Sequence, residues 1–491
     1  MNRPEIIFDS VSSLARKIQE KELTCQEVTR AFLSQIDRFN DTINAISDLR
    51  NHDDIIEEAE EKDRLLGQGK ILGPLHGIPM TVKDGFCVEG LISSNGNPKL
   101  TKNIPDYDAT LIKRLKASGA IIIGKSNIAF LALDWQTNNA WFGRTNNPYD
   151  PERMVGGSSG GSAAALAAGF TPLELGTDAG GSIRVPAHCC GVYGIRTTEF
   201  ALPNRGNMVV PKLPKLGRYM VANGGMARNI KDLILLTQVL WEGDIEHTEN
   251  PPVPFRQVPL QDGEKIKIAF SMNLEDQELS KAYSQVYLSF INRIRTAFSA
   301  VTETKPSYDG NELTLLWGRL AGFDFAAALK GIPFKSFIAK TILKLKYNHS
   351  LWAKSMGLGA GSNAHDYAKS LDEKDRLADQ FNAFFEEYDI WITPVAMSEA
   401  FKHHKTGKPL TIDGKKVSYA DCFIPYNFPT TVPGHPIVVI PIGRTEAGIP
   451  VGVQVHGKRW QDFRLLQIAE RLEPFTEGFQ IPPLMSKVAN D

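Results

Sequence analysis

The sequence predicts an α/β protein with a mixed central β-sheet covered by helices. Two observations predict this class: short apolar runs alternate with helical patterns, and two apolar runs near the C-terminus are joined by a tight turn. Of all residues, 42% are hydrophobic and 23% are charged, which is ordinary for a globular protein and excludes a disordered or fibrous chain. The length of 491 residues, taken alone, would allow about three domains.

The N-terminal part, residues 1–70, is predicted to be helical. Thr24 and Glu27 have the spacing of a capping box, in which each side chain caps the other residue's free amide, and a periodic apolar stretch follows. The acidic and apolar stretch 53–66 predicts a second helix, which ends at Gly67.

Strands and helices alternate through most of the remaining chain. The predicted strands are 77–82, 120–123, 388–392, 436–442 and 450–456, and the predicted helices are 108–117 and 461–472. A turn at 446–448 joins the last two strands into a hairpin, which makes the expected sheet a mixed one.

Residues 244–365 show a different pattern, proline-rich at first and then helical, which predicts a helical insertion, or cap, on the α/β body. Within it, residues 334–352 carry four lysines and apolar residues at helical spacing, with no acidic residue between Phe325 and His365. A basic amphipathic helix of this kind either packs its apolar face on the core or contacts an anionic membrane surface. Both outcomes stay open from the sequence.

Charge balance and cysteine content argue against several classes of function. Lys and Arg number 55 against 56 Asp and Glu, so the whole chain lacks the basic surplus typical of nucleic-acid binding. The five cysteines form no C-x-x-C pair, which argues against a disulfide framework or a structural zinc site. The sequence shows neither a signal-peptide pattern nor an apolar run of about 18 residues, so a cytoplasmic location is expected.

The segment 156–194 is unusual because it contains 10 of the 41 glycines of the chain while it keeps strand and helix patterns. From residue 154 to residue 183 the only charged residues are Glu174 and Asp178. Glycine allows the backbone to approach a ligand closely and to adopt conformations that other residues avoid. The segment therefore predicts a functional site rather than a linker.

The glycine and serine run 156–162 (GGSSGGS), taken alone, is compatible with a flexible linker. A phosphate-binding P-loop is excluded because no Gly-Lys-Ser/Thr follows the glycines. The nucleophile elbow of an α/β-hydrolase fits the letters, with Ser159 at the centre of G-x-S-x-G, but that motif needs a buried strand immediately before it. Residues 149–153 (YDPER) cannot form such a strand.

The glycine-rich segment and an upstream lysine together match a known family pattern. The runs 156–162 and 176–186 (GTDAGGSIRVP) match it, and so does Lys83 after an apolar strand. Further matching blocks lie at 77–84, 124–127, 143–148, 194–198, 434–436 and 452–454. In these blocks, and in the 24-residue separation of Ser158 and Ser182, the chain resembles the amidase signature family.

The resemblance covers about residues 10–240 and 370–475. It implies the amidase signature fold, in which residues 1–491 form a single large α/β/α domain. This domain has a mixed central sheet and a helical cap. The expected parts are N-terminal helices in 1–70, a catalytic core in 71–243, the cap in 244–365 and a return to the core sheet in 366–491.

The resemblance also implies a Ser-Ser-Lys triad. Ser182 would be the nucleophile, Lys83 would be the base, and Ser158 would bridge them, with a cis peptide bond after Gly157. Serine is a weak nucleophile until a neighbour takes its proton, and lysine can do so only as the neutral amine, which burial favours. The implied oxyanion hole is formed by the amides of Ala179, Gly180, Gly181 and Ser182, with Ser159, Asp178 and Arg184 in support.

Each of these assignments has a simpler alternative that the sequence leaves open. Lys83, at the end of a strand, could be a surface lysine, and Asp178 and Arg184 could form a surface ion pair. The hydroxyl of Ser159 could bond to nearby backbone instead of joining the triad.

The activity that the resemblance implies is hydrolysis of the C–N bond of a carboxylic acid amide through an acyl-enzyme on Ser182. No cofactor or metal is expected for this chemistry. The same acyl-enzyme could instead pass its acyl group to an amine, or the chain could be the A subunit of a glutamine-dependent tRNA amidotransferase. A non-catalytic binding protein on the same fold is the remaining alternative, although Lys83, Ser158 and Ser182 are all present.

The expected partner is a small-molecule amide. In fatty acid amide hydrolase, a member of the family, a membrane-facing helical cap occupies a region similar to the insertion. This likeness implies a lipophilic acyl chain and peripheral membrane contact through residues 334–352. A homodimer is compatible with the sequence, and no nucleic acid partner is expected.

Overall fold

The computed structural model of the chain describes residues 4–208, 219–241, 250–261, 263–275, 277–328 and 350–486. Its helices are α1 (Pro4–Ile7), α2 (Val11–Gln19), α3 (Cys25–Ile43), α4 (His52–Gly67), α5 (Thr110–Ala117), α6 (Gly160–Ala167), α7 (Arg184–Cys190), α8 (Ile230–Trp241), α9 (Lys281–Ala297), α10 (Gly310–Ala328), α11 (Leu351–Gly359), α12 (Ala364–Glu387), α13 (Ile424–Thr431), α14 (Asp462–Leu472) and α15 (Pro483–Ser486). Short 3-10 helices lie at Pro98–Leu100, Phe130–Ala132 and Glu473–Phe475. Its strands are β1 (Ile46–Leu49), β2 (Pro79–Lys83), β3 (Ile121–Ser126), β4 (Asn138–Asn139), β5 (Gly143–Arg144), β6 (Leu173–Asp178), β7 (Tyr193–Arg196), β8 (Ala222–Ala227), β9 (Lys267–Phe270), β10 (Ala300–Glu303), β11 (Ile390–Pro394), β12 (Leu410–Ile412), β13 (Lys415–Val417), β14 (Ile437–Arg444) and β15 (Pro450–Gly457).

Eight strands form the central sheet in the order β10-β9-β11-β15-β14-β7-β8-β6. The β10-β9 and β9-β11 pairs are parallel, and the other pairs are antiparallel, so the predicted mixed α/β sheet is confirmed. Helices α7, α8, α9 and α14 pack against its strands. Apolar residues dominate β14 and β15, and both strands are buried along nearly their whole length, as expected for strands that are covered on both faces.

A smaller sheet of three strands, β1-β3-β2, brings the predicted base to the central sheet. Strand β2 is parallel to β3 and also packs along β6, the edge strand of the central sheet. Lys83 is the last residue of β2, and Asp178 is the last residue of β6. The small sheet therefore carries Lys83 to the point where the glycine-rich loop begins.

Two locally encoded elements are confirmed. The Thr24 hydroxyl accepts the Glu27 amide at 3.0 Å while the Glu27 carboxylate accepts the Thr24 amide at 2.9 Å, which is a capping box at the start of α3. Strands β14 and β15 form the predicted antiparallel hairpin, with Ile437 opposite His456.

The structure differs from the predicted parts of the domain in two places. Strand β1 lies within residues 1–70, so that part is not purely helical. Strands β9 and β10 lie within residues 244–365, and with α9 between them they form a parallel unit at the edge of the central sheet. Within the described residues of this part, helices α9, α10 and α11 follow the expected helical pattern. Strands of four residues contain too few side chains for periodicity to reveal them.

Most of the predicted basic helix 334–352 lies outside the described residues, which resume at Ser350. Ser350 has an extended backbone, and its hydroxyl accepts the Ala353 amide at 3.2 Å, so a helix begins here and the predicted one does not run unbroken to residue 352. Trp352 is 5% exposed and contacts two other tryptophan rings. No helix in the part of the chain that the structure describes is long and apolar enough to cross a membrane.

Candidate active site

Lys83 is fully buried, so the alternative of a surface lysine is wrong. Its Nζ lies 2.9 Å from Ser158 Oγ and 2.8 Å from Thr177 Oγ1, and it is 3.4 Å from the Thr177 carbonyl oxygen. Thr177 belongs to β6, so the packing of β2 along β6 fixes the position of the amine. Among the described residues, these three oxygens are the hydrogen-bond partners of Nζ.

Burial lowers the pKa of Lys83 to about 7 because the interior disfavours the ammonium form. Three nearby carboxylates oppose this shift, those of Asp178, Glu174 and Asp84. A lysine of this kind is substantially a free amine near neutral pH and can accept a proton from the hydroxyl beside it.

Ser158 is fully buried, and the peptide bond between Gly157 and Ser158 is cis, as the family resemblance implied. Residue 157 must be glycine because a Cβ there would lie 2.6 Å from the Asp134 carbonyl oxygen and 2.8 Å from the Gln136 nitrogen. The backbone of residues 134–136 thus packs directly on Gly157, next to the predicted bridging serine.

Ser182 lies between β6 and α7 and is partly exposed, unlike Lys83 and Ser158. Its carbonyl oxygen accepts the Ser159 amide at 3.1 Å. Its hydroxyl makes no hydrogen bond to any described residue, so the structure joins Lys83 to Ser158 without joining Ser158 to Ser182. Catalytic hydrogen bonds are often long or absent until substrate is bound.

Two tryptophans hold the loop before Ser182. The indole of Trp317 donates to the Ala179 carbonyl oxygen at 2.8 Å, and that of Trp135 donates to the Gly180 carbonyl oxygen at 2.8 Å. In a trans peptide the C=O and N–H point in opposite directions. The two indoles therefore set the directions of the Gly180 and Gly181 amides.

The structure differs from the predicted oxyanion hole at Gly181. The Gly181 amide donates to Asp178 Oδ1 at 2.9 Å, because a carboxylate three residues upstream closes an Asx-type turn over the loop. The amides of Ala179, Gly180 and Ser182 make no hydrogen bond to any described residue. These three amides remain available to an oxyanion.

Asp178 and Arg184 form a fully buried ion pair, so the alternative of a surface pair is wrong. Arg184 Nη2 lies 2.8 Å from Oδ1 and Nε lies 3.0 Å from Oδ2, a two-point contact. Burial raises the pKa of Asp178, but the positive charges of Arg184 and Arg196 outweigh it and hold that pKa well below its usual range. Asp178 is therefore a fixed negative charge that holds the loop.

Arg184 also ties the loop to the C-terminal part of the chain. Its remaining donors reach the Asn427 carbonyl oxygen at 3.0 Å, Gln454 Oε1 at 2.8 Å and Thr431 Oγ1 at 2.6 Å. All five N–H groups of the guanidinium thus have a partner. Residues beyond 420 are for this reason part of the same site as the glycine-rich segment.

The Ser159 hydroxyl is 3.5 Å from the Thr177 carbonyl oxygen, which is its contact among the described residues. Its amide donates to the carbonyl oxygen of Ser182. The backbone alternative is the better description of this hydroxyl, since among the described residues it makes no hydrogen bond to Lys83 or to the Ser158 hydroxyl.

Sequence reasoning missed Thr177, Trp135, Trp317 and Asn427. Asn427 is fully buried, and its amide nitrogen donates to the carbonyl oxygens of Val395 and Phe423 at 2.9 Å each. Its Oδ1 then faces Gly181, where a Cβ would come within 2.7 Å. Thr177 and Gln454 lie inside blocks that match the family pattern, so the family resemblance could have identified them. Trp317 lies in the predicted insertion, outside those blocks.

Aromatic rings pack around the two tryptophans that contact the loop. Trp317 stacks on Phe428 with centroids 4.5 Å apart, and Trp135 contacts Trp352 and Tyr419 at about 6 Å. Trp352 and Tyr419 also line a cavity of about 340 Å³, together with Leu313, Thr314, Ile424 and Pro429. Within the described residues no cluster of His, Cys, Asp and Glu has the geometry to hold a metal ion.

A model of the amidase family matches residues 27–466 of this sequence. The chain belongs to the amidase family. One relative in this family is the A subunit of the glutamyl-tRNA(Gln) amidotransferase of Alkaliphilus metalliredigens, at 30% identity over 501 aligned residues that cover 98% of this chain and 99% of that protein.

Solved structures of amidase-family proteins share the fold of this chain. The 6-aminohexanoate cyclic dimer hydrolase complexed with substrate superposes with a TM-score of 0.80 at 22% identity, over 98% of this chain and 99% of that one. Fatty acid amide hydrolase superposes with a TM-score of 0.80 at 21% identity, over 97% of this chain and 86% of that one. The chain therefore has the amidase signature fold.

Proposed function

We propose that this protein cleaves the C–N bond of a carboxylic acid amide through an acyl-enzyme on Ser182. The observation that carries the proposal is the buried Lys83 amine, 2.9 Å from Ser158 Oγ, beside the loop that ends at Ser182. A buried lysine with a lowered pKa next to a serine is an activated base, and the partly exposed serine is the one that a substrate can reach.

Acylation begins when Ser182 is deprotonated. The free amine of Lys83 takes the Ser158 proton while Ser158 takes the proton of Ser182. Ser182 Oγ then bonds to the carbonyl carbon of the amide, and the carbonyl oxygen becomes an oxyanion. The amides of Ala179, Gly180 and Ser182 donate to that oxyanion, and loss of one such donor typically costs about 10²–10³ in rate.

The tetrahedral intermediate collapses when the leaving nitrogen is protonated. The proton passes from Lys83 through Ser158 to that nitrogen, the C–N bond breaks, and the amine departs. Water then attacks the carbonyl carbon of the acyl-enzyme while Ser158 and Lys83 accept its proton. The proton returns from Lys83 through Ser158 to Ser182 Oγ as the bond between that oxygen and the carbonyl carbon breaks, and the carboxylic acid departs. Every group used belongs to this chain or to water.

An apolar or aromatic acyl group is the proposed substrate feature. The indoles of Trp135 and Trp317 contact the loop that carries Ser182. The rings of Trp352 and Phe428 pack against these indoles, and such rings bury large apolar areas. A small lipophilic amide, handled in the cytoplasm without nucleic acid or cofactor, completes the proposal. The five cysteines are all buried free thiols, which supports a reducing compartment.

A screen of amides with mass detection tests the proposal. The panel holds long-chain acyl amides, aryl amides and glutamine, each with and without acceptor amines, so that free acid reports hydrolysis and a new amide reports aminolysis. We expect free acid from apolar amides with the wild type and none with Ser182→Ala. Turnover that survives in Ser182→Ala would refute the assignment of the nucleophile.

A second candidate is the A subunit of a glutamine-dependent amidotransferase, which the 30% identity to such a protein over nearly the whole chain favours. This function would require glutamine as the preferred amide and a partner to receive the ammonia. Glutaminase activity that exceeds activity on every apolar amide, together with co-purification of a partner, would select this candidate over the first.

A further inference from the structure

Glu174 is a fully buried carboxyl that the proposed mechanism does not use. It lies on β6, three residues before Thr177, whose side chain contacts the Lys83 amine. The hydroxyl of Thr81 donates to Glu174 Oε1, and Thr81 is two residues before Lys83 on β2. One side chain therefore connects the two strands that hold the predicted base.

The carboxyl group sits among hydroxyls rather than cations. Ser126 on β3 and Ser162 on α6, whose hydroxyls are 2.8 Å apart, lie beside it and favour its charged form. No described lysine, arginine or histidine forms an ion pair with Glu174. Its second oxygen, Oε2, has no hydrogen-bond partner in the described part of the chain.

The other two carboxylates that act on Lys83 each have a cation of their own. Asp178 is paired with Arg184 at 2.8 Å. Asp84 lies 4.0 Å from the buried ammonium of Lys125, and it also accepts the Ser94 amide at 3.0 Å and the Ser94 hydroxyl at 2.6 Å.

Lys125, on β3, is the second lysine that feels the charge of Glu174. Its ammonium is already held by the carbonyl oxygens of Asp84 and Phe86 and by the Ser93 hydroxyl at 3.1 Å. Of the carboxylates near Lys83, Glu174 is thus the one whose charge is not compensated by a paired cation among the described residues.

We propose that Glu174 is a positioning residue for the base: its carboxylate, anchored through Thr81, sets how much of Lys83 is free amine. The inference rests on the proposed role of Lys83. A negative charge near Lys83 stabilises the ammonium, so the Glu174 carboxylate increases the protonated fraction of Lys83.

The consequence for pH dependence has a definite sign. Burial raises the pKa of Glu174 to about 7, so the carboxyl ionises in the same pH range in which Lys83 loses its proton. Glutamine at position 174 carries no charge at any pH. The ammonium of Lys83 then loses an attraction, its pKa falls further, and the amine is free at lower pH than in the wild type.

The test measures the rate of covalent labelling of Ser182 by an alkyl fluorophosphonate from about pH 5 to about pH 9. This probe reports the activated serine without knowledge of the substrate. In Glu174→Gln we expect the midpoint of the acidic limb to move down by about half a pH unit or more, which is about threefold faster labelling on the limb. A limb that stays in place, or moves to higher pH, overturns the inference.

A matched control is Asp462→Asn. Asp462 is also a buried carboxyl whose pKa burial raises, to about 6, and it also accepts a threonine hydroxyl, that of Thr198 at 2.7 Å. It is not among the carboxylates that act on Lys83. We expect its acidic limb to coincide with that of the wild type, and a shift equal to that of Glu174→Gln would overturn the inference.

Thr81→Val provides a second route if Glu174→Gln does not fold. Removal of the hydroxyl makes the charged form of Glu174 less favourable, so the limb should move down by a smaller amount, and an unmoved limb in a folded Thr81→Val overturns the inference. Wild-type protein that the probe does not label at Ser182 refutes the proposed function itself. A labelled wild type with an unmoved limb in the variants refutes the role of Glu174 alone.

Discussion

Trp317→Phe tests how the loop before Ser182 is held. This change removes the indole N–H that donates to the Ala179 carbonyl oxygen at 2.8 Å and keeps an aromatic ring against Phe428. The hydrogen bond contributes about 0.5–1.5 kcal/mol of net stability. The same peptide unit carries the Gly180 amide, which is one of the three proposed oxyanion donors.

The expected rate effect follows from that amide. Complete loss of an oxyanion donor costs about 10²–10³ in rate, and a loosened donor costs a part of this. A misalignment worth about 1.4 kcal/mol in the transition state corresponds to a tenfold loss. We therefore expect Trp317→Phe to label Ser182, and to turn over substrate, about tenfold more slowly at saturating concentrations.

Trp135→Phe is the matched control. Its indole also donates a hydrogen bond of 2.8 Å, to the Gly180 carbonyl oxygen, and its ring stacks on Phe423. Trp135 and Trp317 are each 8% exposed. The peptide unit that it orients carries the Gly181 amide, which is already bound to Asp178. Its loss of stability should match that of Trp317→Phe, while its rate should change by less than about threefold.

Two measurements decide between these expectations: urea unfolding for stability, and the first-order rate constant of Ser182 labelling for the oxyanion geometry. Equal rate losses in the two variants, at equal stability, would refute the claim that Gly180 and not Gly181 donates to the oxyanion. A larger rate loss in Trp135→Phe would reverse the assignment.

Three further changes have defined outcomes. Lys83→Met should slow Ser182 labelling by about 10²–10⁴-fold because the base is lost. Urea unfolding should show a stability within about 1 kcal/mol of the wild type, because an apolar side chain replaces a buried amine. Near-normal labelling would contradict the role of Lys83 as base. Gly181→Ala should abolish labelling because φ is +108° and the new methyl would meet Asn427, whereas Gly448→Ala, at φ +77° in open space, should leave labelling unchanged. Burial lowers the pKa of His188 to about 4, below the unfolded value of about 6.5, so its contribution to the free energy of unfolding is complete above about pH 6.5 and is lost as the pH falls. Between pH 7.5 and about pH 5, urea unfolding should show that the wild type loses about 2 kcal/mol more stability than His188→Gln. Equal losses in the two proteins would contradict this.

The parts of the fold that the sequence predicts well are those encoded by nearby residues. The capping box of α3 needs only Thr24 and Glu27, and the β14-β15 hairpin needs two apolar runs and a turn. Strands β9 and β10 were not predicted, because four residues each show no clear period and their position depends on pairing with β11, far along the chain.

The site shows the same division. The spacing of Lys83, Ser158 and Ser182 matches a family pattern, so these residues can be named from the sequence. The hydrogen bond from the Gly181 amide to Asp178 depends on the orientation of the Asp178 carboxylate, which sequence spacing does not reveal. The role of Trp317 depends on α10 packing against the loop, a contact between segments more than a hundred residues apart.

The proposed mechanism depends above all on which residue carries the acyl group, and peptide mapping can identify that residue. The protein is treated with an alkyl fluorophosphonate or a slow amide substrate, digested, and its peptides are sequenced by mass spectrometry. We predict one adduct, on Ser182, that is absent in Ser182→Ala and strongly reduced in Ser158→Ala and Lys83→Met. An adduct on Ser158, Ser159 or any other residue, or labelling that does not depend on Lys83, would contradict the mechanism.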